Sequence, residues 1–160
     1  MPKHRVSAVA LERLKAEHLD LTTRGRIEVA QRIGRAREMG DLKENGDYHA
    51  AKDEQGHMEA RIRQIEAILE DHEIVEAVND GKVAIGCIVT ILYDGDSPDQ
   101  AERYLIGHME EKPSDPSVSV MSPKSPLGAA LLGAGAGEKV KYQAPNGMLS
   151  VKVVSVEAGS

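Results

Sequence analysis

Eight residues constrain the first half of this chain: Tyr48, Ala51, Gln55, Met58, Ile62, Ile65, Leu69 and His72 recur at gaps of 3, 4, 3, 4, 3, 4 and 3. Alternating threes and fours keep one row of side chains on one face of an α-helix, the a/d spacing by which two helices interlock. A strand, with its period of two, cannot bury such a row; a second helix can. The arm before it can be that partner. Ser7 has the character of an N-cap, and Leu11, Leu14, His18 and Leu21 follow at gaps of 3, 4 and 3. The register slips at Thr22-Thr23-Arg24-Gly25, where Gly25 marks a candidate bend, and resumes with Ile27, Ala30 and Ile33 toward Glu38-Met39. Gly40 suits a helix stop, because it takes positive φ without strain. The second helix is expected from Asp47 to about His72, roughly 39 Å long at ~1.5 Å rise per residue.

The loop Gly40-Asp41-Leu42-Lys43-Glu44-Asn45-Gly46-Asp47-Tyr48 therefore falls at the narrow end of an antiparallel hairpin. Its acids have two readings. Glu38, Asp41, Glu44 and Asp47 can favour the N-terminus of the second helix, and Asp41 with Glu44 matches a D-x-x-E capping box. Alternatively, carboxylates at the end of a rod cannot enter a core and can reach into another molecule. Two carboxylates bind a divalent ion weakly, so they would form half of a site completed by a partner. A calcium loop is excluded. Lys43 stands at its third position and Lys52 at its twelfth, where carboxylate oxygens are required.

Beyond Asn79-Asp80-Gly81 the helical period disappears. Strand-like runs cover Val83–Tyr93, Glu102–Met109, Val118–Met121, Lys139–Gln143 and Leu149–Val156, with a short small-residue helix from Pro126 to Leu132. The predicted fold class is α+β: an antiparallel coiled-coil hairpin over 1–75, a linker over 76–82, and a small antiparallel sheet with one helix over 83–160.

Charge narrows the function. Residues 1–75 hold 13 Lys/Arg against 15 Asp/Glu, and residues 76–160 hold 7 against 11. Neither half has the basic excess from which duplex DNA binding draws its affinity. With no Trp, no Phe and four Tyr, aromatic stacking is not the main route to nucleic acid either. The spacing of Arg32, Arg35, Arg37, Lys43 and Lys52 toward the hairpin end fits a solvated face with pairs such as Glu28–Arg32, or a small patch steering a phosphate backbone. Single Cys87 lies in an apolar run and reads as a buried side chain. The histidines, scattered except for His49 and His57, form no zinc pattern, and Gly133–Gly137 lacks the Lys-Ser/Thr of a P-loop. No apolar run of about 18 residues and no signal-peptide pattern is present; the expectation is a cytoplasmic protein with no membrane partner.

The run from Gly40 to Gly56, continuing through Glu59-Ala-Arg-Ile62, resembles the Gre family of bacterial transcript cleavage factors. Ser122-Pro-Lys-Ser-Pro-Leu-Gly128 and the Pro145-Asn-Gly ending before a valine-rich strand extend the resemblance over nearly the whole chain. It implies a coiled coil joined to a domain like the FK506-binding proteins, acting as a monomer on bacterial RNA polymerase. The globular domain, through Ser122 and Pro123, would dock at the mouth of the secondary channel, and the coiled coil would enter it. Asp41 and Glu44 would help hold a Mg²⁺ shared with the polymerase for cleavage of backtracked RNA near the nascent 3′ end. Arg37 and Lys52 match the family's RNA-proximal basic patch. The chain is then an accessory factor rather than an enzyme. It departs from the pattern at Gly25 and Ile27, where a basic residue and a proline are usual, and at Gly46, which replaces an alanine. Both tip acids are retained, unlike in the inhibitory paralogues. Two other classes remain for comparison: a coiled-coil adaptor without chemistry, and a prolyl isomerase whose pocket would have to use Tyr93, Tyr104 and Tyr142.

Overall fold

The computed structural model describes residues 4–40, 45–76 and 80–159. The chain divides into two compact units, one of residues 11–72 and one of residues 4–10 with 73–159.

The first unit is a helical hairpin. Its first arm runs without a break through α1 (Ala8–Asp20), a five-residue π-helical turn (Leu21–Gly25) and α2 (Arg26–Arg37); its second arm is α3 (Gly46–Glu70). Ion pairs order the arms antiparallel, Glu17 with Arg61 at 2.7 Å, Arg26 with Glu59 at 2.9 Å, and Arg32 with Glu54. Pairs at or near the surface add only ~0.2–1 kcal/mol each, so they set alignment while the seam supplies stability. In α3 that seam buries Ala51, Ile62, Ile65 and Ile68.

The π turn explains the slip of register. A regular continuation from Leu21 would place Gly25, Glu28, Arg32 and Arg35 on the seam. One extra residue in a turn moves the later positions to Val29, Ile33 and Ala36, and Val29 and Ala36 are the buried residues of α2. The expected seam positions Ile27 and Ala30 are exposed instead. Thr22 and Thr23 support the wide turn by donating their hydroxyls to the His18 and Leu19 carbonyls, at 2.7 and 2.6 Å. Gly25 is helical, not a break. A Cβ there would lie 3.1 Å from Met58 Sδ, so its role is to admit the opposite arm.

Two further expectations change at the ends. His72 leaves the seam: α3 ends at Glu70, Ile68 is buried beside Leu69, and His72 begins a short strand (His72–Ile74) while its Nδ1 donates to the Leu69 carbonyl at 2.9 Å. Glu28 pairs with Arg24 rather than Arg32, because Arg32 reaches across the hairpin to Glu54.

In the second unit, β1 (His4–Val6) pairs with β2 (His72–Ile74), and the Val75 amide donates to the Val6 carbonyl at 2.8 Å. The main sheet contains β3 (Cys87–Tyr93), β4 (Glu102–Ile106), β5 (Val118–Met121), β6 (Lys139–Ala144) and β7 (Gly147–Ala158) in the order β5-β4-β3-β7-β6. It is mixed, not antiparallel throughout: β4 and β5 are parallel. Residues 107–117 are long enough to return the chain to the starting end of β4, which a tight turn cannot do. A bulge shifts the β3–β7 register after Thr90. It leaves Val154 on the outside between inward Val153 and Val156. One sheet face, carrying Val89, Ile91, Ile106, Val151 and Val153, is closed by Leu127 and Leu131 of α4 (Pro126–Leu131). Ile88, Leu105 and Val118 form a smaller cluster of their own. Cys87 is fully buried.

Candidate functional site

The narrow end of the hairpin is built by three residues. Gly40 stops the first arm with φ of 122°, a value that L side chains avoid. Asn45 starts the second. Its side-chain oxygen accepts from the Tyr48 amide at 3.0 Å, and its Nδ2 donates to the Ala36 carbonyl at 2.5 Å. One side chain thus caps α3 and ties it to the last turn of α2. Asp47 places a carboxylate in the first turn of α3, where the helix dipole favours it.

Asp41, Lys43 and Glu44 lie outside the described residues. The position of the α3 cap nevertheless bears on their two readings. A D-x-x-E box would make Asp41 the N-cap, but the helix starts at Gly46 with Asn45 as its cap. Capping belongs to Asn45, a residue that motif reasoning passed over; an Asn three residues before the periodic run was the available signal.

The basic residues separate onto two faces. The Arg37 guanidinium lies 5.7 Å from the centroid of the Tyr48 ring, within cation–π range. Lys52, one turn beyond Tyr48, donates to Gln55 Oε1 at 3.1 Å. The expected patch residues Arg37 and Lys52 therefore share a face with Tyr48. Arg32 and Arg35 line a groove of about 400 Å³ with Ala36, Met39, Asp47 and Ala51. Small side chains on both helices leave that space.

The Ser122–Gly128 segment is a structured turn. Ser122 Oγ accepts from the Lys124 amide at 3.1 Å, and its carbonyl accepts the amide and hydroxyl of Ser125 at 3.1 and 2.7 Å. Ser125 in turn caps α4, accepting from the Gly128 amide at 3.1 Å. Pro123 is half-buried and Lys124 exposed. Gly128 makes this turn possible. A Cβ there would overlap the Ser122 carbonyl oxygen and lie 2.8 Å from Ser125 Oγ. Gly128→Ala is expected to cost about 3 kcal/mol or more, at the upper end of overpacking, read as a lowered midpoint in urea unfolding; a loss below about 1 kcal/mol would show that the turn yields.

Tyr93, Tyr104 and Tyr142 are partly buried and pack against the core of the sheet unit. The Tyr93 and Tyr142 hydroxyls are 3.1 Å apart, and Tyr104 donates to Glu102 at 2.5 Å. Burial, then these hydrogen bonds, raise Tyr93 and push Tyr104 up to about 12, so both stay neutral at ordinary pH. Among the described residues no group of three or more His, Cys, Asp or Glu side chains could hold a metal ion, and no helix is long and apolar enough to cross a membrane.

Comparison with known proteins extends these observations. Residues 5–74 match the family "Transcription elongation factor, N-terminal" and residues 78–158 match "Transcription elongation factor, GreA/GreB, C-term". Transcription elongation factor GreA of Streptomyces avermitilis is 45% identical over 150 residues, covering 92% of this chain and 89% of that protein. GreA of Mycobacterium tuberculosis is 47% identical over 148 residues, covering 91% and 89%. The crystal structure of GreA factor homolog 1 of Thermus thermophilus aligns over 97% of this chain and 99% of its own, at 25% identity and a TM-score of 0.42, too loose a superposition to bear on the details above. Matched by both halves of the family and by relatives along nearly its whole length, the chain belongs to the GreA/GreB family of transcription elongation factors.

Proposed function

We propose that this factor enters the secondary channel of RNA polymerase with its hairpin end and stimulates the polymerase's own cleavage of backtracked nascent RNA. The observation that carries the reading is the cap. With Asn45 capping α3, Asp41 and Glu44 are released from the structural role that competed with a chemical one. Two carboxylates fit Mg²⁺ by their hard oxygen atoms, and they fit it as half a site, because the ion prefers a few carboxylates together with water and phosphate oxygens. Asp41 and Glu44 would hold it jointly with polymerase, and the ion would supply charge stabilisation for attack of water on the phosphodiester. The chain's own contribution is placement: a rod stiffened by seam and cross-arm pairs, ending in a loop whose flanks Asn45 clamps. Arg37, oriented by Tyr48, and Lys52 would face the RNA near its 3′ end. The factor works as a monomeric, cytoplasmic accessory, and its hairpin is read as a coiled coil. We read the sheet domain as FK506-binding-protein-like, on the resemblance.

The direct test is addition of the full chain to an arrested elongation complex. Shortened RNA that can be extended again is the expected product, and unchanged RNA would remove the proposal. Docking is assigned to the turn at Ser122 and Pro123. Pro123→Arg is expected to weaken polymerase binding on the order of tenfold, about 1.4 kcal/mol, while leaving cleavage at saturating protein near wild type. Equal affinity of variant and wild type in a competition assay would move docking elsewhere.

A further inference from the structure

We propose that the N-terminal segment is fastened to the sheet unit by a proton-sensitive latch, the His4–His108 pair, which is closed at neutral pH and opens on mild acidification. The latch is independent of the cleavage reading and goes beyond it.

His4 lies on β1 and His108 in the connection after β4, 104 residues apart in sequence. His4 Nδ1 is 2.9 Å from His108 Nε2, and the ring centroids are 5.1 Å apart. The Glu110 amide donates to His108 Nδ1 at 3.1 Å. A neutral imidazole has one donor and one acceptor nitrogen. Since Nδ1 of His108 accepts, its Nε2 carries the proton and donates to His4 Nδ1. Both rings are therefore neutral, and each has its tautomer set by its neighbour.

A second fastening stands beside the first. Ser7 donates its amide and its hydroxyl to the two carboxylate oxygens of Glu111, at 2.9 and 2.6 Å, and its Oγ accepts from the Ala10 amide at 3.1 Å. Val6 and Ala10 are fully buried. The segment is held by apolar packing and by Glu111 at every pH where that carboxylate is ionised, while the histidine pair adds a contribution that depends on protons.

A proton added to His108 occupies the nitrogen that accepts from Glu110. A proton added to His4 occupies the nitrogen that accepts from His108. Either one costs a hydrogen bond in a half-buried site. The surrounding charges act in both directions. Burial and then His4 hold His108 below its ordinary pKa, Glu110 and Glu111 oppose them, and Lys124 adds to the lowering. Arg5, on the same strand as His4, is engaged by Glu73 at 3.6 Å. A histidine whose folded pKa is depressed contributes its stability above the unfolded value of ~6.5, and that stability is lost as pH falls below it toward the folded value. The latch therefore weakens on acidification, not on alkalinisation.

Amide hydrogen exchange on the full chain tests this, read at Ser7, Ala10 and Val75 and corrected for intrinsic rate. Between about pH 7.5 and about pH 5.5, protection at these amides should fall on the order of tenfold, while Ile91 and Val151 in the sheet core stay constant. The double variant His4→Gln with His108→Gln, in which neither side chain of the pair titrates, should remove the pH step. A step that persists in the variant, or no step in the wild-type chain, overturns the latch. The wild-type rings give a second reading in case the variant folds poorly. NMR titration should show His108 protonating below the ordinary histidine range. A His108 ring titrating near ~6.5 would sink the proposal.

Discussion

Asp41→Asn and Glu44→Gln are each expected to leave RNA polymerase binding unchanged and to lower RNA cleavage at saturating protein at least tenfold, about 1.4 kcal/mol of barrier. The substitutions keep shape and remove charge, so they separate ion binding from packing. If the acids served as a helix cap, their loss would appear as ~0.5–2 kcal/mol of folding stability with cleavage intact. Asn45 occupies the cap, so the stability change should stay within the ~0.5 kcal/mol of an ordinary surface substitution. Measuring binding, cleavage and urea midpoint on the same preparations gives a pattern that neither a capping role nor a passive adaptor reproduces. Cleavage near the wild-type rate in both variants would remove the chemical role.

Ile62→Asp should unfold or nearly unfold the hairpin. Ile62 is 1% exposed, in the same buried row as Ile65, and a carboxylate there has no partner when buried. The expected loss is about 4 kcal/mol or more, in the range reserved for unpaired buried charge. Ile62→Val, which removes one methylene, should cost only ~0.5–1.5 kcal/mol. Helical circular dichroism through a urea titration reads both. An aspartate variant as stable as the valine variant would mean the seam is not the source of the hairpin's stability.

The spacing of Ala51, Ile62 and Ile65 was enough to place α3 and its buried face, because helix periodicity is local and a polar residue at an a/d position is costly. The helix stop at Gly40 and the cap at Ser7 were legible for the same reason, each being chemistry within a few residues. In the second half, alternation and turn residues placed five strands and one helix to within a few positions. The family followed from the long motif at the hairpin end.

Other features depended on contacts between distant residues. The π turn could be sensed as a slip, but which residues it turned inward depended on α3 packing against Gly25 and Val29. The parallel pairing of β4 with β5 depends on how residues 107–117 cross, and strand sequence does not encode the direction of its neighbour. Arg32 pairs with Glu54 across the hairpin and not with Glu28 on its own helix; Arg24 and Arg32 both stand four residues from Glu28, and Arg24 takes it. The histidine pair shows the limit most clearly. His4 and His108 have no sequence relation, and each alone reads as a surface residue. Sequence determined the helical rod, its acidic end and the strand-rich half, because those follow from period and short-range chemistry. The tertiary structure alone decided which side chains meet across 22 to 104 residues, since such a meeting depends on the packing of whole elements.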